Sequence, residues 1–318
     1  MGKKSPRRGS LAYWHRGRAK RMVPRIRSWN SRGAAGLAGF AGYKAGMASV
    51  LMVDDTGSPT DGAQVVSPVT VIEVPPLYIY SIEAFAPTPV GLKKVGELTA
   101  PNAPKQLHRS ITSAKKPKTL PDVFVKLSAS EYRIVAACQP WKSGLGKKTP
   151  EMVEIAISGN AQEQLNYAKG VLGKEIPASE VLKAGDFIDA VAVTIGRGWQ
   201  GVVKRRGVSL STHKSTGARR HGGSIGGERQ AKVFYTIPRA GQHGFHRRTD
   251  ANKRVLLTGN SADSAFSKTQ FLRYGTLKSA FIAVRGSVPG PAKRFICLRK
   301  SLEKNSAKVP QIIQAIQR

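Results

Sequence analysis

The sequence predicts a mainly β fold, an antiparallel barrel or sandwich, with an inserted α/β part. Three observations lead to this prediction. Between residues 45 and 85, short β-like runs recur at about ten-residue spacing, separated by Gly, Pro and Asp turns. A polar stretch rich in Pro and Lys interrupts this pattern over 87–150, and long strand-like runs return only after residue 186. We therefore expect the first and last blocks to complete one sheet system around the insertion.

The individual elements follow in chain order. Strands are predicted over 45–53, 65–74 and 77–85, with turns at 54–57 and 61–62. In the insertion, 124–127 and 132–137 are predicted strand fragments. Residues 160–172 place Leu165, Ala168 and Leu172 on one helical face, and Gly173 follows as a stop signal. Later strands are predicted over 187–195, 232–237, 254–257, 280–284 and 295–299.

Charge is distributed unevenly along the chain. The 318 residues carry 52 Lys and Arg against 19 Asp and Glu, a net charge of +33. Residues 33–86 and 151–195 each carry a net −4, whereas 1–32, 87–150, 196–254 and 255–318 carry +11, +9, +12 and +9. A free chain this basic would repel itself, so a polyanionic partner is expected. We interpret the acidic segments as folded core and the basic ones as partner-facing surface.

Several classes of protein are excluded. No apolar run approaches the roughly 20 residues of a membrane-spanning helix. Cys138 and Cys297 are too few for a disulfide framework or a Cys-rich zinc site, which fits a reducing cytosolic compartment. A G-x-G-x-x-G motif occurs at 196–201, but no helical periodicity follows it and His221 stands where a dinucleotide site needs an acid. We expect no membrane contact, no cofactor and no small-molecule substrate.

The first 32 residues contain no acid and interleave aromatic rings with cations, a pattern that lets a chain stack on bases while it contacts phosphates. A solvated tail fits equally well, and an Arg-rich, acid-free start is also typical of a mitochondrial transit peptide. The candidate contacts in this arm are Arg7, Arg8, Trp14, Arg16, Arg18, Arg25, Arg27 and Trp29.

Residues 196–254 hold 14 basic residues and 11 glycines and almost no large apolar residue between 209 and 231. Such a piece cannot bury a core, so we expect an extended loop that becomes ordered on its partner; a merely flexible loop is the alternative. Irregular folded RNA fits it better than duplex DNA. The candidate contacts are Arg197, Trp199, Lys204, Arg205, Arg206, His213, Lys214, Arg219, Arg220 and His221, then Arg239, His243, His246, Arg247, Arg248, Lys253 and Arg254.

Five motifs resemble one known family. They are MGKKSPRRGSLAYW at 1–14, GFAGYKAGM at 39–47, GRGWQGVVKRRGV at 196–208, PRAGQHGFHRRTDANKR at 238–254 and VRGSVPGPAKR at 284–294. Together, and in this order, they resemble the large-subunit ribosomal protein L-three family, in its archaeal and eukaryotic branch and most closely the archaeal type.

The resemblance implies a six-stranded β-barrel of the translation-protein type with long basic N-terminal and central extensions. The implied division is 1–38 basic arm, 39–86 first part of the barrel, 87–185 inserted α/β subdomain, 186–200 and 232–300 remainder of the barrel, 201–231 central extension, and 301–318 C-terminal tail. Lys44, Lys293 and Arg294 join the expected rRNA contacts. The implied extension tip is Gly226, Gly227 and Glu228, where Glu228 stands in place of the tryptophan of the family pattern.

The resemblance also implies a function. It predicts a cytoplasmic, non-enzymatic constituent of the large ribosomal subunit that binds large-subunit rRNA, assists early assembly, and brings its extension near the peptidyl-transferase centre. Neighbouring ribosomal proteins, including the L-fourteen family, are the implied protein partners. No cofactor is expected beyond Mg²⁺ ions that the rRNA itself can hold. Two rival classes stay open, an RNA-modifying enzyme with a basic docking surface and an architectural DNA-binding protein.

Overall fold

The computed structural model describes residues 16–111, 129–260, 266, 269–303 and 308–316 and is mainly β, as predicted. The strands of the first half are β1 Gly36–Leu37, β2 Gly39–Val53, β3 Gln64–Glu73, β4 Leu77–Thr88, β5 Gly91–Thr99, β6 Glu131–Cys138, β7 Glu151–Ser158 and β8 Glu175–Ile176. Those of the second half are β9 Phe187–Val193, β10 Gly196–Gln200, β11 Gly241–Gly244, β12 Arg247–Gly259, β13 Phe281–Arg285, β14 Phe295–Lys300 and β15 Ile312–Ile316.

The helices are few and short. The α-helices are Ala161–Val171, Ala178–Val181 and Val202–Arg206, and 3-10 turns occur at Lys105–Arg109, Pro140–Lys142 and Glu228–Gln230. The first helix begins at Asn160, whose backbone N–H donates to the Glu163 carboxylate at 3.2 Å. No helix among the described residues has the length and apolar character needed to cross a membrane.

Two large sheets contain most strands. The larger has the order β14-β9-β12-β13-β3-β2-β15, and β14 also pairs with β2. The other runs β1-β7-β6-β4-β5, with β8 paired to β4. Strands from the beginning and the end of the chain lie together in the larger sheet, whereas the second sheet is built from the insertion and its flanks. The predicted division holds for β2 and β3 of the first block but not for β4, which pairs with the strands of the insertion.

β2 pairs with β3, β14 and β15 in the larger sheet, and its glycines permit close approach. A Cβ on Gly42 would lie 2.5 Å from the carbonyl oxygen of Glu73 and 2.7 Å from Val74 Cγ1, so no larger residue fits there without displacement. The largest side chains of the core cluster that are almost fully buried include Phe40, Tyr43, Met52, Ile72, Phe266 and Phe281.

Most predicted elements are confirmed within a few residues. The predicted helix over 160–172 forms as Ala161–Val171, and the predicted strand over 187–195 forms as β9. The strand predicted over 232–237 is wrong: these residues form turns, and Phe234 and Tyr235 are exposed. The expectation that no helix follows the glycine motif is also wrong, because Val202–Arg206 is helical. The fragment predicted over 124–127 lies outside the described residues.

The chain divides into two compact units. One comprises residues 1–21 and 193–247, which we call the extension unit; the other comprises 22–192 and 248–318, which we call the strand unit. The extension unit carries 19 Lys and Arg and a single carboxylate, Glu228, whereas the strand unit carries 33 Lys and Arg and 18 carboxylates. The balance of charge therefore differs sharply between the two units.

Candidate nucleic-acid interface

A two-stranded ribbon forms the base of the extension unit. β10 and β11 pair antiparallel, with Gly196 opposite Gly244 and Trp199 opposite Gln242. Gly244 has φ +73°, and a Cβ there would lie 2.0 Å from the Ile195 carbonyl oxygen, so the ribbon requires glycine at this point. The Trp199 ring is 77% exposed. A predicted stacking ring therefore faces away from the protein's own core.

The short helix Val202–Arg206 presents three consecutive cations at the end of this ribbon and ends at Gly207 with φ +68°. Lys204 is exposed. Arg205 is held by main-chain carbonyls, because its Nε donates to Gln242 O at 3.0 Å and its Nη1 to Arg239 O at 2.8 Å. These bonds orient the guanidinium without neutralising it.

Positive charge accumulates around this helix. Burial and the neighbouring charges of Arg205 and Arg16 lower the pKa of Arg206 to about 10, and burial with Arg16 lowers the pKa of Arg205. Burial and then Arg197, the first of several neighbouring cations, lower the pKa of His243. Burial and mutual repulsion destabilise the charged forms of these side chains, so an anion that approaches them stabilises the site.

His246 connects the N-terminal segment to the ribbon. Its ring is 5% exposed, its Nδ1 lies 2.8 Å from the Gly17 carbonyl oxygen, and its backbone N–H donates to Thr194 Oγ1 at 3.1 Å. The ring of His243 stands edge-on to it with centroids 6.5 Å apart. Among the described residues, no group of three His, Cys, Asp or Glu side chains is placed to hold a metal ion.

The loop from 209 to 236 is exposed almost throughout, as its lack of apolar residues predicts. Its internal bonds are few: Ser211 N–H donates to Arg219 O at 3.1 Å, and Arg219 Nε to Ser211 O at 3.4 Å. The predicted contacts that lie exposed on this loop are His213, Lys214, Arg219, Arg220, His221, Gly226, Gly227 and Glu228.

Two further rings on this loop were not among the sequence candidates. Both lie in the strand predicted over 232–237, but Phe234 and Tyr235 are 49% and 63% exposed. The sequence signal was present, since both rings lie in a stretch flanked by Lys232 and Arg239 with no acid between them. An aromatic residue in an acid-free, Gly-rich surrounding is a stacking candidate by the same reasoning that selected Trp199.

The candidates in the strand unit fall into two groups. Some are surface cations: Arg25, Arg27 and Lys293 are exposed, and Arg25 Nε lies 3.9 Å from a carboxylate oxygen of Glu154. Others are engaged within the fold. The Arg254 guanidinium, in a residue 6% exposed, donates to both carboxylate oxygens of Asp55 at 2.6 and 2.5 Å, and Lys253 pairs with Asp250 at 2.9 Å.

Two more candidates in the strand unit contact the fold directly. The Trp29 ring packs against β2, where a Cβ on Gly39 would lie 2.8 Å from its Cζ3. Lys44 donates from Nζ to the carbonyl oxygens of Val288 at 2.6 Å and Gly290 at 3.0 Å.

The remaining candidates come from both units. Arg18, Arg239 and Arg247 of the extension unit are exposed, and Arg248 and Arg294 of the strand unit are half-buried. Arg7, Arg8 and Trp14 lie outside the described residues.

The structure thus brings Arg16, Arg197, Arg205, His243 and His246 into one cluster, although they come from three parts of the sequence.

Comparison with known proteins decides the family. The family model described as Ribosomal protein L3 matches residues 1–313. The chain belongs to the ribosomal protein L3 family. The family's pattern therefore runs through both units, including the exposed loop and the cation cluster.

Curated relatives agree with this assignment. The chain is 40% identical to the large ribosomal subunit protein uL3 of Methanothrix thermoacetophila, over 97% of this chain and 95% of the relative. It is 43% identical to the proteins of the same name from Methanococcus vannielii and Archaeoglobus fulgidus, over 94% and 95% of this chain and 92% and 93% of theirs. The predicted resemblance to the archaeal L-three type is confirmed.

Proposed function

We propose that this protein is a structural constituent of the large ribosomal subunit that binds large-subunit rRNA mainly through its extension unit. Family membership and the printed names of the archaeal relatives support the role in the subunit. The observation that carries RNA binding is the cation cluster of the extension unit, which includes Arg197, Arg205 and Arg206 and lies in a unit with one carboxylate in total.

The physical reason lies in how these guanidinium groups are held. Arg205 is fixed by carbonyl oxygens, which orient a guanidinium but leave its charge uncompensated. A phosphate oxygen would add the charge-assisted hydrogen bonds that a carboxylate supplies elsewhere in the chain. Exposed Trp199 and Tyr235 offer flat faces for unpaired bases nearby in the same unit. Phosphate contact and stacking together are suited to irregular folded RNA.

The finer parts of the proposal rest on the resemblance to the family. They are that the loop tip at Gly226, Gly227 and Glu228 approaches the peptidyl-transferase centre, that the protein acts early in subunit assembly, and that an L-fourteen type protein is a neighbour. Glu228 is exposed. An acid at this tip would repel phosphates, so we expect it to face a base edge, a metal ion held by RNA, or solvent. No catalytic role is proposed for any residue.

We further infer that six strands close into a barrel. The support is the ring of pairings, in which β2 pairs with β3, β3 with β13, β13 with β12, β12 with β9, β9 with β14, and β14 with β2. A strand ring of this kind removes the free edges that an open sheet would leave. The division of the chain into arm, barrel, insertion, extension and tail at the predicted boundaries belongs to the same proposal, except that β4, which begins inside the predicted range 39–86, is not one of these six strands.

The test is the salt dependence of binding to a large-subunit rRNA fragment. Each neutralised phosphate contributes roughly 0.7–0.9 to the slope of log K against log salt, so Arg219→Ala with Arg220→Ala should flatten the slope by about 1.5 if each contacts one phosphate. Lys93→Ala, at an exposed lysine of β5, is the matched control and should leave the slope unchanged.

A slope near zero for the unaltered protein would contradict the proposal outright. Equal flattening by Lys93→Ala would show that the extension has no special role. Competition by duplex DNA as strong as by rRNA would favour an architectural DNA-binding protein instead. Turnover of a methyl donor on rRNA would favour a modifying enzyme.

A further inference from the structure

A groove of about 590 Å³ lies in the strand unit, and the residues that line it all belong to that unit. Its apolar surface comes from Met22, Leu145 and Pro291, and its rim carries Lys147, Lys293 and Arg294 with a single carboxylate, Glu151. The volume lies in the range of small-molecule binding sites, roughly 300–1,000 Å³. An apolar floor with three cations against one acid suits a ligand that is flat and apolar on one side and anionic on the other.

The backbone at Lys293 is held in a strained conformation. Its φ is +68°, a region that residues with a side chain rarely adopt. Lys293 N–H donates to Lys44 O at 2.8 Å, and Lys44 N–H donates to Arg294 O at 3.0 Å. The Lys44 ammonium fixes the preceding turn through Val288 O and Gly290 O. Strain held by this many bonds is typical of a residue whose side chain must be aimed.

The single carboxylate of the groove is already engaged. Glu151 accepts hydrogen bonds from the Tyr43 hydroxyl and from Lys147. Lys293, by contrast, is exposed. Arg294 is half-buried, with Nη1 3.2 Å from Met22 Sδ, and burial lowers its pKa. Apart from Lys147, the exposed cation of the groove is therefore Lys293, which lines it together with the apolar side chains of Met22 and Pro291.

We propose that this groove holds one unpaired nucleotide of the RNA partner, with its base against Met22 and Pro291 and its phosphate at Lys293. The proposal rests on the proposed function and adds to it a discrete base pocket outside the extension unit. Single-stranded bases that leave their stack are the elements of RNA that proteins take into pockets. A flat base accounts for the apolar lining at Met22 and Pro291, and its phosphate accounts for the cation at Lys293.

The test observes the groove itself, because a chain this basic binds RNA at many points. In the full-length protein labelled with ¹³C at the methionine methyl groups, Met22 reports on the groove. Met47 is the internal control, since both side chains are 53% exposed. Titration with pentaadenylate should shift the Met22 methyl signal in a saturable manner and leave that of Met47 in place. Tripolyphosphate, which carries charge without bases, should shift Met22 much less.

Substitution at Lys293 separates charge from fold. Lys293→Gly removes the ammonium and suits a φ of +68°, so the fold should be retained while the affinity monitored at Met22 falls about tenfold. Lys293→Arg should restore most of that affinity. Lys93→Ala should leave the affinity monitored at Met22 unchanged. That result would show that the loss of one exposed lysine elsewhere does not reduce this affinity.

Each other outcome overturns the proposal. An unmoved Met22 signal, or one that tripolyphosphate shifts as strongly as pentaadenylate, would remove the base pocket. A stronger shift by an acidic peptide of alternating Glu and Leu would assign the groove to a protein partner. In these cases the salt-dependent binding of rRNA could persist, so the proposed function would stand; loss of all rRNA binding would remove the proposed function itself.

Discussion

The two units of the molecule use arginine in opposite ways. In the strand unit, buried arginines face carboxylates: Arg254 binds Asp55, and Arg299 donates from Nε to Asp189 at 2.9 Å. In the extension unit, Arg205 is held by carbonyl oxygens and lies among other cations. The first arrangement neutralises charge and stabilises the fold, whereas the second keeps charge available. Which partner orients an arginine therefore indicates whether it acts within the protein or toward another molecule.

The largest expected effect tests the internal pairs. Asp55→Ala leaves the Arg254 guanidinium buried without its carboxylate, so the free energy of unfolding should fall by about 3 kcal/mol. Arg205→Ala, which removes only bonds to carbonyl oxygens in a repulsive surrounding, should change it by less than about 1 kcal/mol. Urea unfolding followed by circular dichroism measures both. Equal losses would show that the arginines of the two units have the same role.

A second prediction concerns a buried carboxylate of the strand unit that accepts hydrogen bonds from main-chain N–H groups and hydroxyls. Glu73 is fully buried and accepts hydrogen bonds from Lys278 N–H at 2.7 Å, Ser279 N–H at 2.8 Å and Gly144 N–H at 3.0 Å, as well as from the Tyr274 hydroxyl. Glu73→Gln replaces one accepting carboxylate oxygen with an NH₂ group, which then faces N–H and O–H donors. The free energy of unfolding should fall by about 2 kcal/mol.

The matched control for Glu73 is Glu180→Gln, the same substitution at an exposed carboxylate. It should change the free energy of unfolding by no more than about 0.5 kcal/mol in the same urea titration. Equal losses in both variants would show that the hydrogen bonds from Tyr274, Lys278 and Ser279 to Glu73 do not hold residues 274–279 in place. That result would weaken the distinction between a strand unit organised by carboxylates and an extension unit that has a single one, Glu228.

The smallest expected effect is a pH dependence in the extension unit. Its cause is the lowered pKa of His243, produced first by burial and then by Arg197 and other cations. Between this lowered pKa and the ordinary value near 6.5, the unfolded chain binds more protons than the folded one, so stability should rise with pH through that window and level off above it.

Hydrogen exchange of the β10 and β11 amides at pH 5.5 and 7.5 measures this effect. His243→Gln should reduce the difference between the two pH values, and His213→Gln, at an exposed histidine of the loop, should not. Protection that rises as the pH falls would contradict the assigned sign.

Sequence reasoning succeeded where local pattern and tertiary environment agree. Leu165 and Ala168 on one face predicted the helix Ala161–Val171, and the run over 187–195 predicted β9, because both segments bury the face that their pattern shows. It failed at 232–237, where the apolar run forms no strand and Val233, Phe234 and Tyr235 stay exposed. Periodicity records what could be buried, whereas burial depends on a neighbour that the local sequence does not specify.

The candidate site shows the same limit. Composition identified the basic loop and its exposed cations, such as Arg219 and Arg220, because a segment without apolar residues cannot fold inward. Composition did not distinguish Arg254, which pairs with a carboxylate inside the fold, from these exposed arginines, because all three lie in basic stretches. The distinction depends on Asp55, which lies 199 residues away in sequence. Long-range pairing of this kind cannot be derived from spacing along the chain.

The contact between the N-terminal segment and the ribbon also sets an order of events during synthesis. Ala19 N–H donates to Phe245 O at 2.7 Å, and Gly17 O is bound by His246. The partner residues of Ala19 and Gly17 are translated more than two hundred codons later, which takes roughly 10 to 45 s at 5–20 residues per second. During this interval the cations of residues 16–21 exist without the residues that contact this segment in the folded chain. A newborn chain thus carries these positive charges before the rest of its binding surface has been made.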